Sequence, residues 1–289
     1  LLLIMETELW PNMIHYSHRA GSRILLAYAR LGALTRPMLR QLDTVACQNS
    51  VDGQRFLDLG LPEAALQITG SIKFDLELDQ SLLERAQQLR VSLGSPGRPV
   101  LVVASTHPGE DERALEAFAR VRELVGDCLL VLVPRHPERF DDVYALCRRA
   151  GGEVVRRSSG SDPGPSTDIL LGDTMGELLL LLGAASIAVI GGSLVEHGGH
   201  NVLEPAAWGV PVVTGPHMFN FAQISELLTD AGAMLMLDDP DQLGDSLLEL
   251  LQDPARCRQM AEAGRRVVAD NRGAKQRLLE LVASDLARK

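Results

Sequence analysis

The chain has 289 residues, of which 46% are apolar and 23% are charged. This composition excludes general disorder and is typical of a soluble globular protein large enough for two domains with separate cores. The formal net charge of −10 argues against nucleic acid as a partner. The four cysteines are scattered and form no C-x-x-C pair, so the sequence predicts neither a zinc site nor a disulfide framework.

Short apolar runs alternate with amphipathic helical patterns, as in βαβ units with parallel sheets. Strands are predicted at 1–5, 23–27, 44–48, 66–70, 100–105, 129–133, 168–172, 186–190, 210–214 and 233–237. Helices are predicted at 50–59 and near 109–125, 138–150, 175–183, 202–208, 222–230, 240–251 and 254–269. The predicted fold class is therefore α/β, with Rossmann-like domains.

The predicted domain boundary lies between Phe74 and Arg98, where a strand gives way to a polar amphipathic helix and a glycine- and proline-rich turn. Residues 1–78 are predicted to be the remainder of an N-terminal domain, and residues 79–289 a complete C-terminal domain. The chain begins with the apolar run LLLIM rather than with a methionine. This start predicts a fragment that begins inside a domain.

The stretch between Leu9 and Leu42 is rich in arginine and contains no acidic residue. Its arginines are Arg19, Arg23, Arg30, Arg36 and Arg40. Such a stretch forms either a solvated face or a surface for anionic lipid or phosphate.

Four polar loops follow predicted strands of the second domain. They are STHPGE (105–110), PRHPERF (134–140), DTMGEL (173–178) and GGSLVEHGGHNVLEPA (191–206). In open α/β sheets, ligands bind beyond the carboxyl ends of the strands. A parallel sheet would gather these loops at one edge.

Three of the loops offer groups that suit an anionic ligand. Arg135 could bind phosphate through two hydrogen bonds, or simply pair with Glu138 at a helix start. Gly176 would present backbone N–H groups at another helix start, although Thr174 and Glu177 could form an ordinary capping box there. The hydroxyls and imidazole of residues 105–107 either contact a ligand or only cap a helix.

The glycine-rich loop carries the strongest signal. Gly191 and Gly192 would let the backbone pass close to a ligand, and Gly198-Gly199 leads into a helix whose N-terminus favours phosphate or carboxylate. Glu204, near that first turn, is placed to accept hydrogen bonds from a ribose diol. Neither a Walker loop nor a G-x-G-x-x-G fingerprint is present. The residues therefore predict a nucleotide or nucleotide-sugar site without a dinucleotide fingerprint.

Two groups of residues in the first domain could take part in catalysis. Glu6 and Glu8 follow a buried strand, where carboxylates either are satisfied by a nearby helix cap or take part in a reaction. Lys73 also follows a strand, and it could neutralise charge that develops in a cleft or pair with Asp75.

Seven sequence blocks, in this order and spacing, resemble the 3-deoxy-D-manno-octulosonic acid (Kdo) transferases of lipopolysaccharide synthesis. The blocks are METELWPN, TGSIKFD, STHPGE, PRHPERF, GDTMGEL, GGSLVEHGGHNVLEP and GPHMFNF. They cover nearly the whole chain. The resemblance implies the two-domain GT-B glycosyltransferase fold, with the first domain incomplete. It also implies transfer of Kdo from CMP-Kdo to the lipid A precursor lipid IVA, with inversion and without a cofactor or a bound metal.

The same resemblance implies a set of site residues. CMP would be bound by Pro134, Arg135, Met175, Gly176, Glu177, Asn201, Val202, Leu203 and Glu204. Glu6 and Lys73 would stabilise the transition state. The intact protein would act at the cytoplasmic face of the bacterial inner membrane, with CMP-Kdo and the lipid A precursor as its partners.

Two departures from the family pattern limit what the resemblance implies. The family's catalytic glutamate lies in an SVGE-like block upstream of METELWPN, with a membrane anchor further upstream, and neither has a counterpart here. An NARLS-like segment is also absent between RILLA and YARLG. The fragment alone is therefore expected to be inactive.

Two other functions fit the residues. One is a different GT-B transferase, or a sugar 2-epimerase, that uses a UDP-sugar; GGHNVLEPA (198–206) does not exclude it, and a comparison of CMP with UDP binding would. The other is a non-catalytic nucleotide-binding module left by a decayed gene.

Overall fold

The structure is a computed structural model that describes residues 1–5, 10–29, 36–94, 97–161 and 163–287. The strands in these residues are β1 (Leu2–Met5), β2 (Ile24–Ala29), β3 (Thr44–Cys47), β4 (Leu66–Ile68), β5 (Val100–Thr106), β6 (Leu129–Pro134), β7 (Glu153–Arg156), β8 (Thr167–Leu171), β9 (Ile187–Ile190), β10 (Val212–Thr214) and β11 (Met234–Met236). The helices are α1 (Pro11–Arg19), α2 (Arg36–Leu39), α3 (Ser50–Asp58), α4 (Gln80–Ser92), α5 (Glu110–Val125), α6 (Phe140–Ala150), α7 (Leu178–Gly183), α8 (Leu203–Trp208), α9 (Ala222–Asp230), α10 (Leu243–Gln252), α11 (Pro254–Asp270) and α12 (Ala274–Ala287). Every predicted strand and helix is present, with ends displaced by a few residues.

The helices α1, α2 and α12 and the strand β7 were not predicted, because their apolar patterns are weak. In α1 only Ile14 is buried, and the N-cap Trp10 makes no capping hydrogen bond with its side chain. In α12 the fully buried residues are Ala274 and the acidic Asp285, while the apolar Leu278, Leu281 and Val282 on the same face are only half-buried. The strand β7 is a four-residue edge strand of its sheet.

The chain divides into two compact units by its internal contacts. Unit 1 comprises residues 1–75 and 269–289, and unit 2 comprises residues 76–268. The first boundary lies close to the predicted one, and α4 falls in unit 2. The second boundary differs from the prediction, which placed all of residues 79–289 in one domain. The last helix, α12, belongs instead to unit 1.

Unit 1 is built on a four-stranded parallel sheet in the order β1-β2-β3-β4. Its core joins the sheet to α1 and α3 through buried apolar side chains, among them Ile4, Ile14, Ile24, Leu26, Val45 and Phe56. A parallel sheet needs cover from helices, and these side chains supply the contact.

Polar contacts explain why α12 belongs to unit 1. The buried carboxylate of Asp285 accepts a hydrogen bond from Arg23 Nη2 at 2.7 Å and another from Thr44 Oγ1 at 3.1 Å. Asp75 accepts the backbone N–H groups of Gly273 and Lys275, at 2.5 and 2.6 Å, at the start of the helix. These bonds satisfy N–H groups that a helix end leaves without intrahelical partners.

The position of Arg23 also bears on the arginine-rich stretch. Its guanidinium is bound by Asp285 and lies 4.0 Å from Asp43, so its charge is already compensated within unit 1. Arg30 lies outside the described residues. At Arg23 the stretch is therefore part of the fold rather than a free basic surface.

Unit 2 contains a seven-stranded sheet in the order β11-β10-β9-β5-β6-β8-β7, and all its pairings are parallel. Every residue of β5 and β6 is buried, as expected for central strands covered on both faces. From β5 the chain builds the sheet first on the β6 side and later on the β9 side. The order therefore reverses between β5 and β9, and ligands bind at such switch points in α/β sheets. None of the helices in the described residues is both long enough and apolar enough to span a bilayer.

We expect Asp285→Asn to destabilise unit 1 by about 1–3 kcal/mol, because the substitution removes the nearer anionic partner of the partly buried Arg23 guanidinium. Amide hydrogen exchange in β2 and β3 measures this unit separately from unit 2. The matched control is Asp58→Asn, at an exposed carboxylate of α3 that accepts a hydrogen bond from Gln54. Equal exchange rates in the two variants would contradict a role for Asp285 in holding α12.

Candidate functional site

Unit 2 contains a cavity of about 190 Å³ at the switch point between β5 and β9. It is lined by Ala104, Ser105, Arg135, Leu178, Leu182, Ile190, His200, Asn201 and Glu204. These residues come from the carboxyl ends of β5, β6 and β9 and the loops that follow them, from α7, and from the start of α8. The predicted gathering of polar loops at one sheet edge is confirmed. Three of the loops contribute polar residues to the cavity, and the fourth, residues 173–178, contributes the apolar Leu178.

A buried glutamate joins two of the loops at this edge of the sheet. Glu110, at the start of α5, is fully buried. Its Oε2 accepts the backbone N–H of His107 at 2.8 Å and of Gly192 at 2.7 Å, and its Oε1 accepts that of Leu194 at 2.9 Å. One carboxylate therefore ties the loop after β5 to the loop after β9. No local sequence pattern singles out Glu110, because two of its three partners are backbone groups 82 and 84 residues away.

Ser105 adopts a left-handed backbone conformation with φ 61°, the one non-glycine residue in the described chain with positive φ. Such a conformation costs a residue with a Cβ about 1–2 kcal/mol and is concentrated at functional sites. The strain turns the chain at the end of β5, where Ser105 lines the cavity. Thr106 and His107 follow, and Thr106 Oγ1 hydrogen-bonds to Asp111 at 2.5 Å.

The glycines of the long loop have a structural reason of their own. A Cβ on Gly191 would lie 2.5 Å from the carbonyl oxygen of Ser105, so glycine is needed for two backbone segments to touch. Gly192, Gly198 and Gly199 all have positive φ, and the last two pack against the residues 217–220 that follow β10. Close approach to a ligand stays a prediction, since contacts within unit 2 already account for these glycines.

Arg135 and Glu204 share the cavity. Within the described residues the guanidinium of Arg135 has no ion pair, so the alternative pairing with Glu138 is wrong; His136 Nδ1 is 4.0 Å from Glu138 instead. Glu204 Oε1 accepts a hydrogen bond from Asn201 Nδ2 at 3.1 Å. Burial raises the pKa of Glu204, and Asn201 and the charge of Arg135 partly offset that effect. Within the described part of the chain, the two residues offer a guanidinium without an ion pair and a half-buried carboxylate to one ligand.

The residues 174–177 differ from the predicted capping box. The helix α7 begins at Leu178, and Glu177 at its N-cap makes no capping bond with its side chain. Its carboxylate instead accepts bonds from Arg157 Nε and Nη2, at 3.1 and 3.0 Å, and from Thr174. Hydrogen bonds from Arg157 lower the pKa of Glu177 below its usual range, although burial opposes them. Gly176, with φ 81°, lies two residues before the helix, and Met175 is exposed.

Arg157 was overlooked because it begins the segment 157–167, which has the composition of a surface loop. The structure holds this segment near the site through Asp173, whose carboxylate accepts the Ser158 N–H at 2.8 Å and the Arg156 Nε–H at 2.6 Å. No sequence pattern signals these contacts, because β7, which ends at Arg156 and is followed directly by Arg157, is too short to be predicted.

Four histidines gather beside the cavity. His107 Nε2 and His200 Nε2 are 2.7 Å apart, and these two rings are stacked, with 7° between their planes. The ring of His197 lies 3.7 Å from that of His107, and His136 meets His107 edge-on at 5.5 Å. Burial and the neighbouring cations lower the pKa of both His107 and His200 to about 4. In the described residues no group of side chains is arranged to hold a metal ion.

The two residues predicted to stabilise a transition state belong to unit 1. Glu6 lies outside the described residues, as does Glu8. Lys73 is half-buried in a 3₁₀ turn, residues 72–74, that follows β4. The carboxylate of the neighbouring Asp75 is occupied by N–H groups at the start of α12. The catalytic roles of Glu6 and Lys73 stay predictions.

Comparison with known proteins identifies the family. A family model described as 3-deoxy-D-manno-octulosonic-acid transferase (kdotransferase) matches residues 1–76, and one described as glycosyl transferases group 1 matches residues 111–267. The 3-deoxy-D-manno-octulosonic acid transferase of Haemophilus influenzae is 40% identical over 300 residues, which cover 100% of this chain and 70% of that protein. The chain belongs to the Kdo transferase family. The transferase of the same name from Bordetella pertussis is 40% identical over 96% of this chain and 67% of its own length. Members of the family are glycosyltransferases, so the predicted enzyme class is confirmed.

Solved structures agree with this assignment. The C-terminal CMP-Kdo binding domain of WaaA from Acinetobacter baumannii is 37% identical, with a TM-score of 0.62 over 66% of this chain and 99% of that domain. A glycosyltransferase from Rickettsia africae is 13% identical, with a TM-score of 0.63 over 100% of this chain and 78% of its own. HepE from Anabaena in complex with UDP has a TM-score of 0.57 at 13% identity, over 94% of this chain and 75% of its own. The predicted GT-B fold is confirmed.

We expect Glu110→Gln to destabilise unit 2 by about 2–3 kcal/mol, because an amide NH₂ would face backbone donors and leave a buried N–H unpaired. Amide hydrogen exchange in β5 and β9 measures the loss. Glu112→Gln is the control, since Glu112 is exposed on the same helix turn. A loss no larger than that of the control would show that Glu110 does not join the two loops.

A second pair of variants tests the strained backbone. Ser105→Gly and Ser105→Ala both remove the hydroxyl, but only glycine adopts φ 61° without strain. The free energy of unfolding should therefore be about 1 kcal/mol higher for Ser105→Gly than for Ser105→Ala. Chemical denaturation of both variants makes the comparison, and equal stabilities would rule out strain at this residue.

Proposed function

We propose that the protein binds CMP-Kdo in the cavity of unit 2 and transfers Kdo to the lipid A precursor lipid IVA with inversion. In this proposal the intact protein works at the cytoplasmic face of the bacterial inner membrane and requires no cofactor beyond its donor substrate. Membership of the Kdo transferase family supports the transfer of Kdo. The similarity to a domain described as CMP-Kdo binding supports the donor.

The observation that carries the proposal is the pairing of a free guanidinium with an acceptor carboxylate in one cavity. Arg135 has no ion pair among the described residues, so its planar guanidinium is available to bind the CMP phosphate through two hydrogen bonds. Glu204 is held by Asn201 with carboxylate oxygen to spare for the ribose hydroxyls. The two groups match the two polar parts of a nucleoside monophosphate.

The remaining predicted residues divide by exposure. Val202 and Leu203 are fully buried, and Pro134 is buried at the end of β6. These three would act through their backbone, by fixing the loops from which Arg135 and Glu204 project. Met175 is exposed and would cover the base, while Gly176 would offer its N–H. Glu177, held by Arg157, would keep this segment in place.

Transfer itself needs charge stabilisation at the leaving group. The acceptor hydroxyl attacks the anomeric carbon of Kdo and gives its proton to a general base, the family's catalytic glutamate that the resemblance places upstream of METELWPN. At the same time the bond from the anomeric carbon to the phosphate oxygen breaks, and negative charge grows on CMP. A cation that already contacts the phosphate stabilises that charge in the transition state. In the proposal Arg135 does this, with Glu6 and Lys73 assisting as transition-state residues.

The proposal is tested first by the choice of nucleotide. CMP should raise the midpoint of thermal unfolding of the protein in a concentration-dependent way, because a ligand that binds only the folded state stabilises it. UDP at the same concentrations should raise the midpoint less. Equal or greater protection by UDP would favour a UDP-sugar enzyme and overturn the assignment of the donor.

Point variants test the two central residues. We expect Arg135→Ala and Glu204→Gln each to weaken CMP binding by about 10- to 100-fold, the usual cost of losing a hydrogen bond to a charged group. Isothermal titration measures the dissociation constants. Arg149→Ala and Glu226→Gln, at exposed positions of α6 and α9, are the matched controls and should bind CMP as the unmodified protein does. Unchanged affinity in the first pair would remove the cavity from the proposal.

A further inference from the structure

The four histidines beside the cavity come from three different loops. His107 follows β5, His136 follows β6, and His197 and His200 lie in the loop after β9. Ring contacts join all of them to His107. His200 also lines the cavity together with Arg135. A cluster of imidazoles from separate loops is therefore brought to the wall of the proposed donor site.

The charges around the cluster are mainly positive. Among the groups that act on His107 or His200 are Arg135 and Arg139 of the loop after β6, together with the imidazoles of His136 and His197. Arg139 is already bound by Asp111, whereas Arg135 has no ion pair in the described residues. Glu110 contacts His107 through the backbone N–H, and Glu204 lies with Arg135 in the cavity. Glu204 is thus the carboxylate that lines the cavity with His200, and within the described residues no carboxylate forms an ion pair with the ring of His107 or His200.

The contact between His107 and His200 limits how many protons the pair can carry. At 2.7 Å, one Nε2 must donate a hydrogen bond and the other must accept it. The pair can be neutral or hold one extra proton, but two imidazolium rings would each present an N–H along the same line. Without an anion, the neutral state is favoured by burial and by the nearby guanidinium of Arg135.

We propose that the four histidines form an anion subsite of the donor cavity, and that a phosphate or carboxylate group binds there together with a proton. The inference rests on the proposed function, because a CMP-activated sugar acid carries both kinds of anionic group. The bound anion neutralises Arg135 and accepts hydrogen bonds from imidazole N–H groups. The His107–His200 pair then takes up one proton from solution. Binding of a neutral ligand would cause no such proton uptake.

The sign of the pH dependence follows from this linkage. In the free protein the pair stays neutral until the pH falls to about 4. An anion raises the pKa of one ring toward the ordinary value of about 6.5, so the affinity for the anion increases as the pH falls through that range. Over a drop from about pH 7.5 to about 5.5, we expect about tenfold tighter binding.

Sulfate is the first probe, because its charge stays constant over this pH range. The histidine rings of the unmodified protein are titrated by NMR without ligand, with sulfate, with CMP, and with cytidine. Sulfate should raise the pKa of one ring of the His107–His200 pair, and cytidine should not. An increase with CMP alone assigns the subsite to the phosphate. An increase only when free Kdo is added to the CMP complex assigns it to the carboxylate.

Variants supply the second measurement. His107→Gln and His200→Gln should reduce the pH dependence of sulfate binding from about tenfold to less than about threefold. His18→Gln, at an exposed histidine of α1, should leave it unchanged. Even if one of these variants fails to fold, the NMR titration of the unmodified protein decides the matter.

The outcomes separate this inference from the proposed function. If CMP binds, but sulfate, CMP and Kdo each leave the pKa values of the rings as they are in the free protein, the subsite is overturned and the donor assignment stands. If CMP does not bind but sulfate raises the pKa of a ring in the pair, the subsite stands and the donor assignment fails.

Discussion

The site in unit 2 depends on a single buried carboxylate. Glu110 accepts N–H groups from the loops after β5 and β9, which are adjacent strands but lie far apart in sequence. A buried charge without partners is costly, whereas three backbone donors compensate for its loss of hydration. The requirement is mutual, because the N–H groups of Gly192 and Leu194 also need a partner once they are buried. The two loops are therefore fixed relative to each other before any ligand arrives.

The two fixed loops position both the backbone around the cavity and the charged side chains that line it. The left-handed turn at Ser105, the glycine at 191 and the helix start at Leu203 set the backbone around the cavity. Arg135 and Glu204 then enter it with charges that are only partly compensated by the protein. Preorganised polar groups of this kind spend little free energy on rearrangement when they bind a charged ligand.

The sequence predicted every strand of both sheets except β7, because buried parallel strands read as continuous apolar runs, and it predicted most helices. It also located Arg135 and Glu204, since polar residues after such strands must lie at the carboxyl edge. It did not predict α12, whose packed face is only half-buried at its leucines and includes the carboxylate of Asp285, bound by Arg23. Nor did it reveal Arg157 as the partner of Glu177, or the contact between His107 and His200. These pairs join residues 20 and 93 positions apart, and no local pattern encodes the distance between two loops.

The return of α12 to unit 1 has a consequence for synthesis on the ribosome. Unit 2 is continuous in sequence and can fold as soon as it emerges, but unit 1 needs its last helix, which is made after the whole of unit 2. At bacterial and eukaryotic translation rates, the delay is on the order of ten seconds or more. During that time Arg23 and Thr44 have no Asp285 to bind, and the face that receives α12 is open to other contacts. Folding of unit 1 is thus coupled to the synthesis of α12.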